Sequence, residues 1–166
     1  MIAAATGKPL QKPRHELDAP PWQRVESTLM ATSRAIRDAY DARFARLELN
    51  LTQASLLVFL HETGPMRQTQ IAQRLGQGRA AIGATIDGLE NRGLVERQAD
   101  PLDRRAWLVH LTAAGKDLVE PINEIDRVLR EELRLDISRS ERQQLAKLLL
   151  RLQANLARVL AVGEST

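Results

Sequence analysis

The sequence predicts a mainly α-helical fold with one small β-hairpin. Three observations carry that prediction. Apolar residues recur at three- and four-residue spacing through most of the chain. A Gly76-Gln77-Gly78 step separates two short helical patterns. Two β-like apolar runs, Leu94-Val95 and Trp107 to Leu111, flank a charged turn.

The N-terminal residues 1–21 hold four prolines, alanines, lysines and His15. Proline opposes a helix and the segment offers little to bury, so a mobile arm is expected there. From Trp22 the pattern changes. Trp22, Val25, Leu29, Ile36, Tyr40, Phe44 and Leu47 form one stripe, which predicts a long amphipathic helix. Asn50-Leu51-Thr52 breaks it, with Thr52 the expected N-cap of a second helix running to about His61. Its core candidates are Leu56, Leu57, Phe59 and Leu60, and Gly64-Pro65 ends it.

The stretch from Met66 to Thr112 organises the rest. A short helix starting at Gln68 places Ala72 at its fifth position, Gly76 at the ninth and Ile82 at the fifteenth. Ala72 is small where a second helix crosses, Gly76 turns the chain with a positive φ, and Ile71, Leu75 and Ile82 fill the space between the helices. Ile86 and Leu89 anchor the inner side of the second helix, and Gly93 stops it. This is the spacing of a helix-turn-helix, and the hairpin after it reads as a wing.

Beyond the wing, Thr112 is placed to cap another long helix, with Leu118, Ile122, Ile125, Leu129 and Leu133 on one face. Pro121 inside it should bend it. Ser138 and Glu141 form a capping box for the last helix, whose Leu145, Leu149, Leu152, Leu156 and Leu160 approach a coiled-coil seam. These terminal faces exceed what the head can cover, so they are expected to pair in a symmetric homodimer. The expected division is an arm at 1–21, an N-terminal dimerisation helix at 22–51, a winged helix-turn-helix at 52–112, and C-terminal dimerisation helices at 113–162.

Composition narrows the function. The chain has 166 residues, enough for one domain with a real core. It has no cysteine, which removes thiol catalysis, disulfides and thiolate-bound metals. Aromatics are only 3%, too few for stacking platforms on single strands. The net charge is +3, but the isoelectric point near 9.8 reflects an arginine-rich surface suited to a polyanion. No apolar run is long enough for a membrane span, and no leader is evident, so a cytoplasmic protein is expected. His15, His61 and His110 lack ligand spacing, so no metal or other cofactor is expected. No nucleophile elbow, phosphate-binding loop or zinc-hydrolase helix is present, and the expected protein is not an enzyme.

The expected partner is double-stranded DNA. If the second short helix lies in a major groove, its outer residues Arg79, Ala80, Gly83 and Ala84 face the bases, and Arg79 is the best reader of a guanine edge. Arg67, Gln68, Thr69 and Gln77 flank that helix and are the further candidates for contact. At the hairpin tip, Arg104 and Arg105 suit a narrow minor groove, and Asp103 is placed to orient one of them by a charge-assisted hydrogen bond. The alternative is an interaction protein whose glycine- and alanine-rich face reads DNA weakly and docks another protein.

Three segments carry a family resemblance: Gly88-Leu-Glu-Asn-Arg-Gly-Leu-Val-Glu-Arg97, Asp100-Pro-Leu-Asp-Arg-Arg-Ala106 and Leu111-Thr-Ala-Ala-Gly115. Together they resemble the MarR family of bacterial transcription regulators, with similarity from Thr52 to about Val119. The resemblance implies a dimeric winged helix on pseudo-palindromic duplex DNA, commonly released by a small aromatic or anionic effector. It implies that Arg105 enters the minor groove with support from Asp103. It also implies an effector pocket where the first, second and fifth helices meet the head, with Tyr40, Arg43, Phe44, His61 and Arg67 as candidate lining. The chain departs from the family pattern at Gly78, Ala84 and Gly88, where hydroxyl or basic residues are common. A ligand-responsive repressor is the function this resemblance implies.

Overall fold

A computed structural model describes residues 19–20 and 23–163. Trp22, His15 and most of the expected arm lie outside the described residues, as does the side chain of Arg104. Helix α1 spans Val25–Phe44 and tightens into a 3₁₀ turn at Ala45–Leu47. Then follow α2 (Leu51–Thr63), β1 (Met66–Arg67), α3 (Gln68–Arg74), α4 (Arg79–Asn91), β2 (Val95–Asp100), β3 (Asp103–Leu111), α5 (Ala113–Asp117), α6 (Val119–Leu133) and α7 (Arg139–Gly163). The fold is mainly helical with a small antiparallel sheet, as the sequence predicts.

The core is largely where the patterns place it. The exceptions are Phe59, expected in it but only half-buried, and Val25, Leu29 and Ile36 of the α1 stripe and Leu133 of the α6 face, which are exposed. Ile71, Ile82, Ile86 and Leu89 are fully buried between α3 and α4, with Ala72 beside them. Gly76 has φ of 62°, so the tight turn between these helices uses a backbone region that side chains disfavour. Leu56, Leu57 and Leu60 of α2 join the same core, as do Ile122 and Ile125 of α6. Residues far apart in sequence therefore share one apolar centre under the head.

Several element boundaries differ from expectation. The N-cap of α2 is Asn50, not Thr52: its side chain accepts from the Gln53 amide, while the Gln53 side chain accepts from the Asn50 amide. That reciprocal box satisfies two otherwise unpaired donors. The single helix expected after Thr112 is two. Thr112 caps α5 through Gly115 N–H at 3.1 Å, and α6 begins after Leu118. Pro121 thus falls in the first turn of α6, where its missing N–H costs nothing and no bend is required. Ser138 and Glu141 do form the expected box at the start of α7.

The sheet has the order β1-β3-β2. Strands β2 and β3 extend the wing well beyond its two apolar runs, pairing Val95 with Leu111 and continuing to Ala99 with Trp107, with an irregularity at Ala99/Asp100. Strand β1 is only two residues, Met66 opposite Val109 and Arg67 opposite Leu108. It ties the entry of α3 directly to the wing.

Candidate nucleic-acid interface

Helix α4 presents Arg79, Ala80 and Ala84 to solvent, while Ile82, Ile86 and Leu89 hold its other side. The Gln68 side-chain amide donates to the Arg79 carbonyl at 3.1 Å, bracing the first turn of α4 from the first turn of α3. Gly83 is half-buried against that amide: a Cβ there would lie 3.0 Å from Gln68 Nε2. The sequence expectation put Gly83 on the outer face, and the structure turns it toward α3. Gln77 also turns inward, donating to Thr52 Oγ1 at 3.0 Å. Thr69, Gln70, Gln73 and Arg79 line a hollow of about 430 Å³ between the two helices, and Thr69 is exposed at its rim.

The position of α4 is fixed from its far end by charge. Arg97 of β2 donates to Asp87 at 2.5 Å and to Glu90 through a still shorter contact, and Glu90 also accepts from the Arg97 amide at 3.0 Å. Burial opposes the Arg97 charge, but the two carboxylates outweigh it and hold the guanidinium protonated. Arg92, at the end of α4, donates to the carbonyls of Leu47 and Glu48 beyond α1. A helix held at both ends keeps its outer residues in one orientation.

The wing is held differently from expectation. Arg67 does not point free into solvent. Its Nε and Nη2 both donate to Asp100 Oδ2, at 3.1 and 2.7 Å, and Nη2 lies 3.5 Å from Asp103. Asp100 is the buried charged residue of this region, and its other oxygen accepts from Leu102 N–H at 2.9 Å. The Arg67 hydrogen bonds, followed by the Leu102 amide, hold the Asp100 carboxyl below the usual carboxylate range. Among the described side chains, Asp103 makes no ion pair with Arg105. It accepts the backbone N–H of Arg105 at 3.1 Å and faces Arg67 with its other oxygen. The tip is therefore shaped through its backbone, and the Arg105 side chain is exposed without an ion-pair partner among the described residues. Arg79 is likewise without one.

The expected effector-pocket residues separate. Tyr40 and Phe44 stack at 5.7 Å between ring centres and line a hollow of about 330 Å³ with Phe59, Glu62, Asp126 and Arg130. Tyr40 donates to Asp126 at 2.9 Å, and burial first, then that carboxylate, raises the phenol's pKa. Arg43 is not part of the lining: it pairs with Glu132 at 2.6 Å on the exposed side of α6. His61 faces a different hollow of about 280 Å³ with His110 and Lys116, and Arg67 is held at the wing. The sequence reads Phe59 for the core and does not single out Asp126 or Arg130; helical spacing from Phe59 to Glu62 is the one local signal.

Among the described residues no group of three or more histidines and carboxylates is placed to hold a metal ion. No described helix is long and apolar enough to cross a membrane.

Comparisons with known proteins agree with this geometry. The family model described as "MarR family" matches residues 49–107, which run from the start of α2 into the wing. A crystal structure of a probable transcriptional regulator from Pseudomonas aeruginosa is 33% identical. It is matched over 78% of this chain and 99% of that one, with a TM-score of 0.67. The chain belongs to the MarR family. It is a DNA-binding transcription regulator of the MarR type. Two further structures share the fold. One is an S. aureus MepR–DNA complex, at 22% identity, 80% and 97% coverage and a TM-score of 0.73. The other is BpsR from Bordetella bronchiseptica, at 22% identity, 78% and 98% coverage and a TM-score of 0.71, described for regulation of its DNA binding by 6-hydroxynicotinic acid. In this MarR-family chain, the matched residues include Gln68, Arg97, Arg67 and Asp100, which brace α4 and the wing.

Proposed function

We propose that this MarR-family chain is a ligand-responsive repressor that clamps pseudo-palindromic duplex DNA as a homodimer. The carrying observation is a pair of cations without an ion-pair partner among the described residues: Arg79 on α4, which is braced at both ends, and Arg105 on the wing, which Arg67 ties to the entry of α3. Arg79, with Ala80 and Ala84 beside it, reads base edges in the major groove, and Thr69 supports it from α3. Arg104 and Arg105 enter the adjacent minor groove. Gln68, Gln77, Gly83, Arg67 and Asp103 act behind them, by fixing where those contacts fall.

The dimer reading is supported by the terminal helices. Val25, Leu29 and Ile36 of α1 and Leu145, Leu149 and Leu152 of α7 line an apolar groove of about 730 Å³. Farther along α7, Leu156, Val159 and Leu160 stand exposed. Leucines at this spacing on an otherwise solvated helix call for a partner, and a second copy provides the same faces by symmetry. Residues 22–51 and 113–162 then build the dimer, and 52–112 form the head. The hollow at Tyr40, Phe44 and Asp126 lies where α1 and α6 meet α2, so an effector seated there would act on the angle between dimer and head. MepR was solved with DNA and BpsR responds to a small aromatic acid, and both share this fold.

Selecting genomic fragments that the purified protein retains tests this reading. The expected result is a shared inverted repeat, with half-sites about one helical turn apart, and affinity that falls steeply with salt. Salt-insensitive capture of a protein partner, with no fragment enriched, would instead favour the docking alternative.

A further inference from the structure

One side of the wing carries an aromatic residue that neither the core nor the cationic contacts use. Strand pairing sets Arg97 opposite Val109 and Ala99 opposite Trp107. Directly opposed residues and their next-but-one neighbours share a face of the sheet. Val109 is buried in the core and Arg97 reaches Asp87 and Glu90 of α4, so this is the face that looks toward α4. Trp107 stands one pair farther out, between the core and the tip. It leaves 57% of its surface exposed, and its opposite neighbour is only an alanine. Tryptophan joins a flat apolar ring to a single N–H donor, and such residues gather where a surface meets a partner.

We propose that Trp107 lies against the sugar–phosphate backbone that passes between α4 and the wing, with its ring on a deoxyribose and its indole N–H donating to a phosphate oxygen. The inference rests on the DNA reading above. A duplex entered by α4 in the major groove and by the wing tip in the adjacent minor groove has one backbone strand between those grooves. Trp107 is on the side of the wing that faces that gap. On the same face Arg97 is already held by two carboxylates, and Arg105, two residues along β3, stands nearer the tip. Between these two cations, Trp107 offers a phosphate a neutral donor on a wide apolar ring.

The chain has two tryptophans, so Trp22→Phe leaves Trp107 as the sole indole reporter. That variant is titrated at low salt with a short fluorescein-labelled duplex of mixed sequence. Anisotropy of the label reports binding, and indole emission with acrylamide quenching reports Trp107. The expected result is protection of Trp107 from acrylamide in step with the anisotropy rise. Separately, Trp107→Phe in the native chain keeps a ring and loses the donor. It should weaken binding about three- to tenfold with an unchanged salt slope, because a neutral donor displaces no counterion. Saturating anisotropy with Trp107 as accessible as in the free protein overturns the proposal and leaves the DNA reading standing. Equal affinity of Trp107→Phe and the native chain overturns the phosphate hydrogen bond. No anisotropy change at low salt overturns the DNA reading and this proposal with it.

Discussion

Arg67 and Asp100 form a fork that closes onto one oxygen: Nε and Nη2 of the arginine both donate to Oδ2 of the aspartate. The arginine belongs to the entry of α3 and the aspartate to the end of β2, so this contact joins the helix-turn-helix to the wing where they would otherwise diverge. A buried carboxylate that loses its partner keeps the cost of its desolvation. Changing either residue should therefore leave the wing without this tie to α3.

Arg67→Gln should loosen the wing and change the acid response. Because Asp100 has a depressed pKa when folded, its ionised form contributes stability that is fully present above the ordinary aspartate range. That contribution is lost as pH falls through the depressed value. Thermal melts between neutral and acid pH should show the native protein losing more stability than Arg67→Gln over that acid window. Parallel curves would exclude the fork as a source of pH dependence.

Arg79→Ala and Arg105→Ala should fail in different ways. Each should cost roughly 1–3 kcal/mol of binding. Arg79→Ala relaxes preference at one base position in each half-site. Arg105→Ala should lower the salt slope by about one and weaken A·T-rich flanks most. Competition binding against a randomised duplex library, repeated at several salt concentrations, separates the two. An Arg79→Ala profile identical to the native one would remove that residue from base reading.

Leu156→Glu with Leu160→Glu should separate the dimer. Both leucines are exposed in the single chain, so the head should keep its helical signal. Burying two carboxylates in the paired state should raise the dimer dissociation constant by at least about 100-fold. Sedimentation velocity measures the outcome, and a variant that sediments as the native protein does would place the interface elsewhere.

Gly115→Ala should destabilise the chain by about 3 kcal/mol through overpacking. A Cβ there would lie 2.1 Å from the Leu94 carbonyl oxygen and 2.8 Å from Leu111 Cδ1, and the first neighbour is backbone that cannot step aside. Chemical denaturation measures the change.

Local steric rules made much of the fold legible. Ala72, Gly76 and Ile82 follow from how closely two short helices cross, and such constraints act within a few residues. Asn50 and Thr52 show the limit. Both suit the start of α2; Asn50 caps it through Gln53, while Thr52 accepts from the Gln77 amide 25 positions away. The Arg67–Asp100 fork joins residues 33 apart, through a strand of two residues that carries no periodicity to read. His61 faces a different hollow from Tyr40 for a helical reason: two residues beyond Phe59, it points to nearly the opposite side of α2. The candidate pocket was therefore partly visible, through Tyr40 and Phe44, while its polar residues come from α6 and depend on how the helices meet.

The contact at Gly115 also bears on how movement could travel through the molecule. With the first turn of α5 set directly on the start of β2, there is no slack between the terminal helices and the wing. Thr112 tightens the joint further, its hydroxyl donating to the Gly93 carbonyl at 2.7 Å. Through so close a joint, a rotation of α5 should be carried into the wing strand. In a dimer, the span between the two wing tips would then be geared to the angle at which the terminal helices cross.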